Sequence, residues 1–323
     1  MKIIKSQAVS PFGGINFVIK EAIDLKINTL LNNNLPSLPT QSQYNWFDIF
    51  MSYWSVFFCG GDCAEDLSIN IKKGLNANPF IKVPSPDRIL ERIKSLSDGT
   101  QKFTTKRGEK DHQFSLAEEM NRLNLKMLSL LPGFQKKDVV LDYDNTVIFT
   151  EKADARMTYK KGFGYFPGVG MVGRHTVFVE NRNGNSTAHV VQHETIDRMA
   201  TLLGETGITI GAIRADSASY GYEIIKSMEK AAKRIFVKAR MTNALEEAIS
   251  GIKEWKEIKI GGETLLRGST TFVPFERYAR GNNEKTNSLK EYRLVVTKEA
   301  RRDGQINLFT GEAYNYSPIM TND

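Results

Sequence analysis

The order of apolar runs along the chain predicts a mixed α/β protein with a helical N-terminal region, a central layer of interleaved strands and helices, and a β-rich segment after it. Three observations carry this prediction. Apolar residues before about residue 100 recur at helical spacing. Between 138 and 240 the runs follow as strand, strand, strand, helix, strand, helix, strand, and from about 251 to 317 only strand-like runs remain. That order specifies a mixed sheet, not an all-parallel doubly wound one.

In the N-terminal region Trp46, Phe47, Ile49, Phe50, Tyr53, Trp54, Phe57 and Phe58 fall on helical spacing and are expected to build a core. Pro84 and Pro86 interrupt the chain, and Ser85 or Asp87 can start the next helix, with Ile89, Leu90 and Ile93 on its apolar side. The stretch 99–112, GTQKFTTKRGEKDH, has almost no apolar residues and reads as an exposed linker. Ser115 and Glu118 form a capping-box pattern, and Leu116, Met120, Leu123, Met127 and Leu130 follow at spacings of four, three, four and three. This predicts a helix from 115 to about 131, ended by Pro132 and Gly133.

DVVLDYDNTVIF then reads as a strand buried on at least one face. GYFPGVGMVG and HTVFVENRNG are two more strand-like runs, and Asn183-Gly184 marks a turn. Residues 193–205 put Ile196, Met199, Leu202 and Leu203 on one helical face. ITIGAIRADSAS is a fourth strand that ends in a carboxylate. YGYEIIKSMEKAAK is a helix, and RIFVKAR at 234–240 is a closing strand. TLLRGSTTFVPF, EYRLVVTKEA and INLFTGEAYNYSPI supply the β-rich segment.

The composition, 41% hydrophobic and 25% charged, is that of a globular protein and rules out wholesale disorder or a collagen-like fibre. No stretch approaches the roughly 18 apolar residues of a membrane helix, and MKIIKSQAVS lacks the apolar core of a signal peptide, so a soluble cytoplasmic protein is expected. Cys59 and Cys63 cannot build a disulfide framework, and four scattered histidines do not complete a zinc site; the expectation is two reduced, partly buried thiols. His189 and His193 lie four apart without an HExxH-like setting, so no metal role is expected of them. The 44 basic residues against 37 acidic ones favour a polyanionic partner. Twelve Lys and Arg stand against eight Asp and Glu between 251 and 303, a net of +4. These residues could form a solvated face of mixed sign or contact phosphates.

Asp142 and Asp144 are two apart on one predicted strand, so the pleat sends both to the face shared with Val140 and Thr146. Carboxylates so placed repel unless a cation or a shared proton compensates them. Asp216 closes the fourth strand and is also placed to cap a helix starting near Ser217. If the first and fourth strands are neighbours, Asp144 and Asp216 form half of a divalent-metal site suited to magnesium or manganese.

LDYDNTVIF, the hairpin after it, and IRADSASYGYE resemble the catalytic core of DDE insertion-sequence transposases, a group with a ribonuclease-H-like fold and a β-rich insertion. Asp144-Asn145-Thr146 matches that family's Asp-x-Thr at the end of the first strand, and Ile213-Arg214-Ala215-Asp216-Ser217 matches the context of its second aspartate. The resemblance runs from about 138 to 240. It implies four parts: a helical DNA-binding domain over 1–112, a ribonuclease-H-like core over 113–245, a β-rich insertion over 246–316, and a last core strand over 317–323. It also implies phosphoryl transfer on DNA with Mg2+ or Mn2+, in which Asp144 bridges two ions and Asp216 holds one. Double-stranded DNA bearing transposon ends is the implied partner, and a homodimer is an assembly consistent with it. The family's third acid belongs to a Tyr-x2-Arg-x3-Glu-x6-Lys helix. Here Arg280 and Glu284 keep that spacing, Tyr278 and Lys290 are each one residue out of place, and the chain is expected to stop before the true helix. Arg174, Lys160, Lys161, Arg280, Lys285 and Arg293, with His175, Arg182, Lys152 and Arg156, are the expected contacts to the DNA backbone.

VVLDYDNTV also resembles the first motif of haloacid-dehalogenase-type magnesium phosphatases, on which reading Asp142 is the nucleophile and Asp144 the general acid. A third reading keeps the transposase fold as a DNA-binding protein without catalysis.

Overall fold

The computed structural model describes residues 11–105, 108–276, 290–301, 305–306, 311 and 313–323. The chain divides into two compact units, Met1–Gly99 with Ala117–Phe134, and Thr100–Leu116 with Gln135–Asp323. Among the described residues no helix is long and apolar enough to cross a membrane.

The first unit is helical: α1 (Ile15–Asp24), α2 (Ile27–Asn34), α3 (Trp46–Phe58), a π-turn over Leu67–Ile71 that runs into α4 (Lys72–Leu75), α5 (Pro86–Lys94) and α6 (Glu118–Leu128). Local chemistry fixes the ends. Asn45 and Asp48 form a reciprocal capping box at the start of α3, and the other oxygen of Asp48 accepts from the Lys82 amide. Ser85 caps α5 with Pro86 in its first turn. Ile19, Leu31, Ile49, Met51, Val56, Leu67, Leu75 and Ile89 are buried in one core with Trp46 and Phe47, whereas Phe57 and Phe58 at the end of α3 are exposed. Cys59 is half-buried and Cys63 is exposed, so only the first fits the expected environment.

The second unit is built on a sheet. In chain order its elements are β1 (Gln101–Thr105), β2 (Gly108–Ser115), β3 (Val139–Asn145), β4 (Ile148–Phe149), β5 (Arg156–Met157), β6 (Phe163–Tyr165), β7 (Gly168–Val172) and β8 (His175–Arg182), followed by α7 (Gln192–Glu205). Then come β9 (Ile210–Ala215), α8 (Tyr222–Ala231), β10 (Arg234–Lys238), α9 (Asn243–Ser250), β11 (Lys256–Ile260), β12 (Glu263–Phe272), β13 (Tyr292–Ala300) and β14 (Tyr314–Thr321). Among the described residues eleven strands run in the order β1-β2-β8-β7-β3-β9-β10-β14-β13-β12-β11, and β4-β6-β5 form a separate small sheet. Strands β3, β9 and β10 are parallel, while β7 is antiparallel to both β3 and β8. The five-strand centre β8-β7-β3-β9-β10 is the ribonuclease-H-like mixed sheet: third, second, first, fourth and fifth strand, with the second reversed.

Three expectations are corrected. The stretch 99–112 is not a linker: β1 and β2 form a hairpin that joins the sheet beside β8, because Phe114 is buried against Phe103 and beneath the Arg182 guanidinium, which lies 4.3 Å from its ring centre. The two aromatic residues, with buried His112 bonded to Ser186 and the Gln113 backbone bonded to Asn183, anchor the hairpin, and a count of apolar residues overlooks them. Ser115 therefore ends β2, and α6 starts at Glu118 after Ala117 in the left-handed region; α6 packs Leu123 with the N-terminal helices. The segment 317–323 is not the last strand of the ribonuclease-H-like centre. That strand is β10, and β14 pairs antiparallel to its outer edge, so the β-rich segment continues the same sheet.

Strand β8 places Phe178, Glu180 and Arg182 on the buried face. Glu180 and Arg182 are fully buried. One Glu180 oxygen accepts from Thr195 Oγ1 at 2.8 Å and Arg182 at 3.2 Å, and the other accepts from Arg198 at 2.7 and 3.1 Å. Arg182 also donates to the carbonyls of Ala188 and Val190, each at 3.2 Å. The cluster ties β8 to α7 and to the loop between them. It also corrects the expectation that Arg182 contacts DNA, since its guanidinium is enclosed. Removing one member of a buried ion pair strands the other in low dielectric, so Glu180→Ala is expected to lower stability by about 3–5 kcal/mol. Urea unfolding followed by circular dichroism measures this, and an unchanged midpoint would show that the cluster contributes nothing net.

Candidate functional site

Parallel pairing sets Tyr143 opposite Ala215, so the next residues on each strand, Asp144 and Asp216, lie side by side at the C-terminal ends of β3 and β9. The buried side of β3 (Val139, Leu141, Tyr143) fixes the alternation that turns Asp144 outward. Asp216 caps a 3-10 turn over Ser217–Ser219, accepting from the Ala218 amide at 2.9 Å. The cap expected of Asp216 therefore forms, and it leaves the residue at the strand end next to Asp144.

Asp144 and Asp216 line one open cavity of about 450 Å³, together with Asn145, Thr158, Asn185, Ser186, His189 and Arg240 among its polar residues. Asp144 is exposed as a residue, yet its carboxyl is partly desolvated at the strand end, and this raises its pKa above the ordinary 3.8. A hydrogen bond from the Asn145 amide at 2.7 Å opposes the rise, and the charge of Asp216 adds to it. Burial lowers the pKa of His189, the positive charge of Arg240 lowers it further, and Asp216 pulls the other way. Its imidazole is neutral at physiological pH, and its Nε2 is buried without a hydrogen-bond partner. Arg240, two residues beyond β10, is aimed by a bond from its Nε to the Ser217 carbonyl at 2.8 Å.

Two glycines make the close packing around this cavity feasible. A Cβ at Gly184 would sit 2.3 Å from the Arg156 carbonyl oxygen and 2.4 Å from that of Gly164, so only glycine lets the Asn183-Gly184 turn rest on the small sheet. A Cβ at Gly168 would reach 2.2 Å from the Tyr143 hydroxyl, the residue between the two aspartates of β3.

The other expected residues scatter. Asp142 is held by Arg214, its cross-strand partner on β9, through two bonds of 2.5 and 2.7 Å, and it does not line the cavity. With an antiparallel neighbour beside β3 and Asp142 so engaged, the all-parallel sheet and free nucleophile that a haloacid-dehalogenase phosphatase needs are not what this strand provides. Arg174 sits in the turn after β7, at the end of β3 opposite to Asp144. Lys160 and Lys161 follow the cavity residue Tyr159, and Lys161 adopts a left-handed backbone. Arg293 lies on β13, where its Nε donates to Ser269 Oγ at 3.1 Å, and it shares a cleft with Lys256 and Arg267. Glu284, Arg280 and Lys285 lie outside the described residues. Among the described residues no group of three His, Cys, Asp or Glu is placed to hold a metal ion. Sequence reasoning did not assign Arg240, Asn185 or Thr158 to the site, and only the basic end of RIFVKAR, directly after a core strand, signalled any of them.

No protein-family model matches the chain, and no curated protein matches it. Among solved structures it is similar to a piggyBac transposase synaptic complex with hairpin DNA, at 10% identity and a TM-score of 0.35, covering 99% of this chain and 54% of that one. It is also similar to the Drosophila P element transposase strand transfer complex, at 14% identity and a TM-score of 0.31, covering 78% of this chain and 52% of that one. The chain thus spans about half the length of the structures it matches.

The raised pKa of Asp144 has a stability consequence. Between 3.8 and the raised value the unfolded chain has already lost a proton that the folded chain retains, so stability falls as pH rises through that window. Asp144→Asn removes this loss. Without divalent cations it is expected to melt above wild type near neutral pH, and the difference should close below pH 3.8. Thermal melting of both forms across this range checks it; equal melting throughout would mean that the carboxyl is not desolvated.

Proposed function

We propose that this protein is a DNA transposase, or a protein derived from one, that cleaves and transfers a strand with a divalent cation held by Asp144 and Asp216. The observation that carries the reading is the placement of these carboxylates at adjacent ends of parallel strands, on one cavity, with the charge of Asp216 reaching Asp144. A cation between them relieves both their mutual repulsion and the desolvation of Asp144.

The donor set suits a hard ion such as magnesium or manganese. It comprises two carboxylates and, on the same cavity, the Asn185 side-chain Oδ1, which is buried without a hydrogen-bond partner. When bound, such an ion polarises a phosphodiester and makes a coordinated water more acidic. The chain's own residues do the rest. Asp144 and Asp216 hold the charge in place. Arg240 brings a fixed positive charge to the side where negative charge develops on a phosphate, and neutral His189 offers a ring nitrogen to the same space. Lys160 and Lys161 beside the cavity, and Arg293 with Lys256 and Arg267 on the β-rich segment, are the residues proposed to follow the backbone of duplex DNA. Any third acid, Glu284 included, is to be sought outside the described residues, so the reading rests on the pair.

With manganese, the full chain is expected to nick a supercoiled plasmid. Asp144→Asn and Asp216→Asn should each lose nicking roughly a hundred-fold or more while still retarding the plasmid in a gel, and Asp142→Asn should keep both properties. Wild-type nicking by Asp144→Asn removes the assignment. Plasmid binding with no nicking by any form, wild type included, leaves a DNA-binding protein without catalysis.

A further inference from the structure

The small sheet beside the acid pair exposes more apolar surface than its length explains. Between residues 148 and 163, Ile148, Phe149, Met157, Tyr159 and Phe163 are all at least half exposed; Phe149 stands at 58%, Tyr159 at 70% and Phe163 at 57%. Concentrated exposed apolar surface of this kind marks a binding face. Its rings are not randomly turned. The Phe149 ring lies over Gly162, where a Cβ would come within 2.6 Å of it, and Phe149 and Phe163 border an open cavity of about 700 Å³ with Lys152. Tyr159 meets Phe166 edge to face at 5.6 Å, and the Lys160 ammonium lies 5.8 Å from the Tyr159 ring centre.

The same segment carries Lys152, Arg156, Lys160 and Lys161 against Glu151 and Asp154, a net of +2. The Asp154 carboxylate is occupied by the Tyr165 hydroxyl at 2.6 Å. Exposed rings interleaved with cations suit a ligand that offers flat apolar faces on an anionic backbone, which is the chemistry of unpaired nucleotides. A duplex hides those faces, and a protein partner has no need of the cations. The surface also runs into the candidate site: Met157, Thr158 and Tyr159, at the end of β5, line the cavity that holds Asp144 and Asp216.

We propose that the β4-β6-β5 sheet is a stacking platform for single-stranded DNA next to the acid pair, with Phe149 and Phe163 as the rings on which bases rest. This deepens the proposed function and rests on it for the identity of the reacting strand. Cleavage next to an unpaired stretch would leave that stretch on the platform, held by stacking and by phosphate contacts to Lys152, Lys160 and Lys161.

The test is fluorescence anisotropy of a labelled oligothymidylate and of a duplex of equal length, using the full chain without divalent cations. Phe149→Ala and Phe163→Ala are each expected to weaken single-strand affinity about 5-fold or more and to leave duplex affinity unchanged, while Phe163→Trp restores it. Circular dichroism of the variants checks that the fold is kept, and both rings are exposed enough for truncation to leave no cavity. Unchanged single-strand affinity in both alanine variants overturns the proposal. So does a loss of self-association, read by sedimentation, with single-strand affinity intact, since the face would then join copies of the chain. Because no metal is present, a chain that fails to nick DNA but shows ring-dependent single-strand binding loses the catalytic reading and keeps the platform. The reverse pattern loses only the platform.

Discussion

The buried contact between Glu180 and Arg182 organises the unit that carries the candidate site. Two charges on one strand, both fully enclosed, persist because most of their donors and acceptors are matched by Thr195 and Arg198 from α7 and by the carbonyls of Ala188 and Val190 from the loop before it; among the described residues the Arg182 Nε is their buried donor left without a partner. Arg182 further reaches the Tyr143 hydroxyl at 3.5 Å. One guanidinium therefore touches the strand of Asp144 and brackets His189 through the residues on either side of it. The loop that lines the cavity is held by charge-assisted bonds, where a loop of its length would otherwise lose conformational order. Burial of Tyr143 in this setting pushes its pKa up to about 12, so the hydroxyl stays a neutral partner.

Strand pairing, not that cluster, makes the acids meet. The aspartates are 72 residues apart, and only parallel pairing of β3 with β9 brings their strand ends together. With β7 antiparallel on the other side of β3, that end of the central strand is flanked by one carboxylate from β9 and by the Asn183-Gly184 turn that follows β8. The site is electrostatically unfinished: two carboxylates repel, and Arg240 supplies one positive charge close by. A protein that placed such a pair for stability alone would have answered it as it answers Asp142, with a bidentate arginine.

Much of this was legible in the sequence, and the reasons differ by element. The centre could be read because its strands are short apolar runs and its helices α7 and α8 carry apolar residues on one face, so period alone separates them. Asp144 and Asp216 stood out because carboxylates at the ends of apolar strands need a reason to be there. The hairpin β1-β2 was hidden because a strand near the edge of a sheet buries few positions, here Phe114 and the polar His112, with Phe103 half-buried against the first. Arg182 was misread because a charged residue in a strand looks solvent-facing until its partners, spread from 143 to 198, are brought together. Asp142 and Asp144 share a face as expected, but the cross-strand identity of Arg214 decides between them, and register is a property of the pair of strands.

The outer edge of β10 shows how a distant segment reaches the site. An open edge there would expose unpaired backbone groups, and β14 covers it by pairing antiparallel, Phe236 with Thr321 through Lys238 with Ile319. The pairing reaches one residue further, where the Ala239 amide donates to the Pro318 carbonyl at 3.0 Å. Arg240 is the next residue, so the backbone that launches its side chain is clamped by a strand some 80 positions later, and its Nε is clamped in turn by Ser217. Strand β14 is paired with β13, β13 with β12, and β12 with β11, so the antiparallel extension bears on the cavity through the placement of one guanidinium. A β-rich segment that hung from the core by loops would leave Arg240 free to follow solvent. Continuing the sheet fixes it beside the acids.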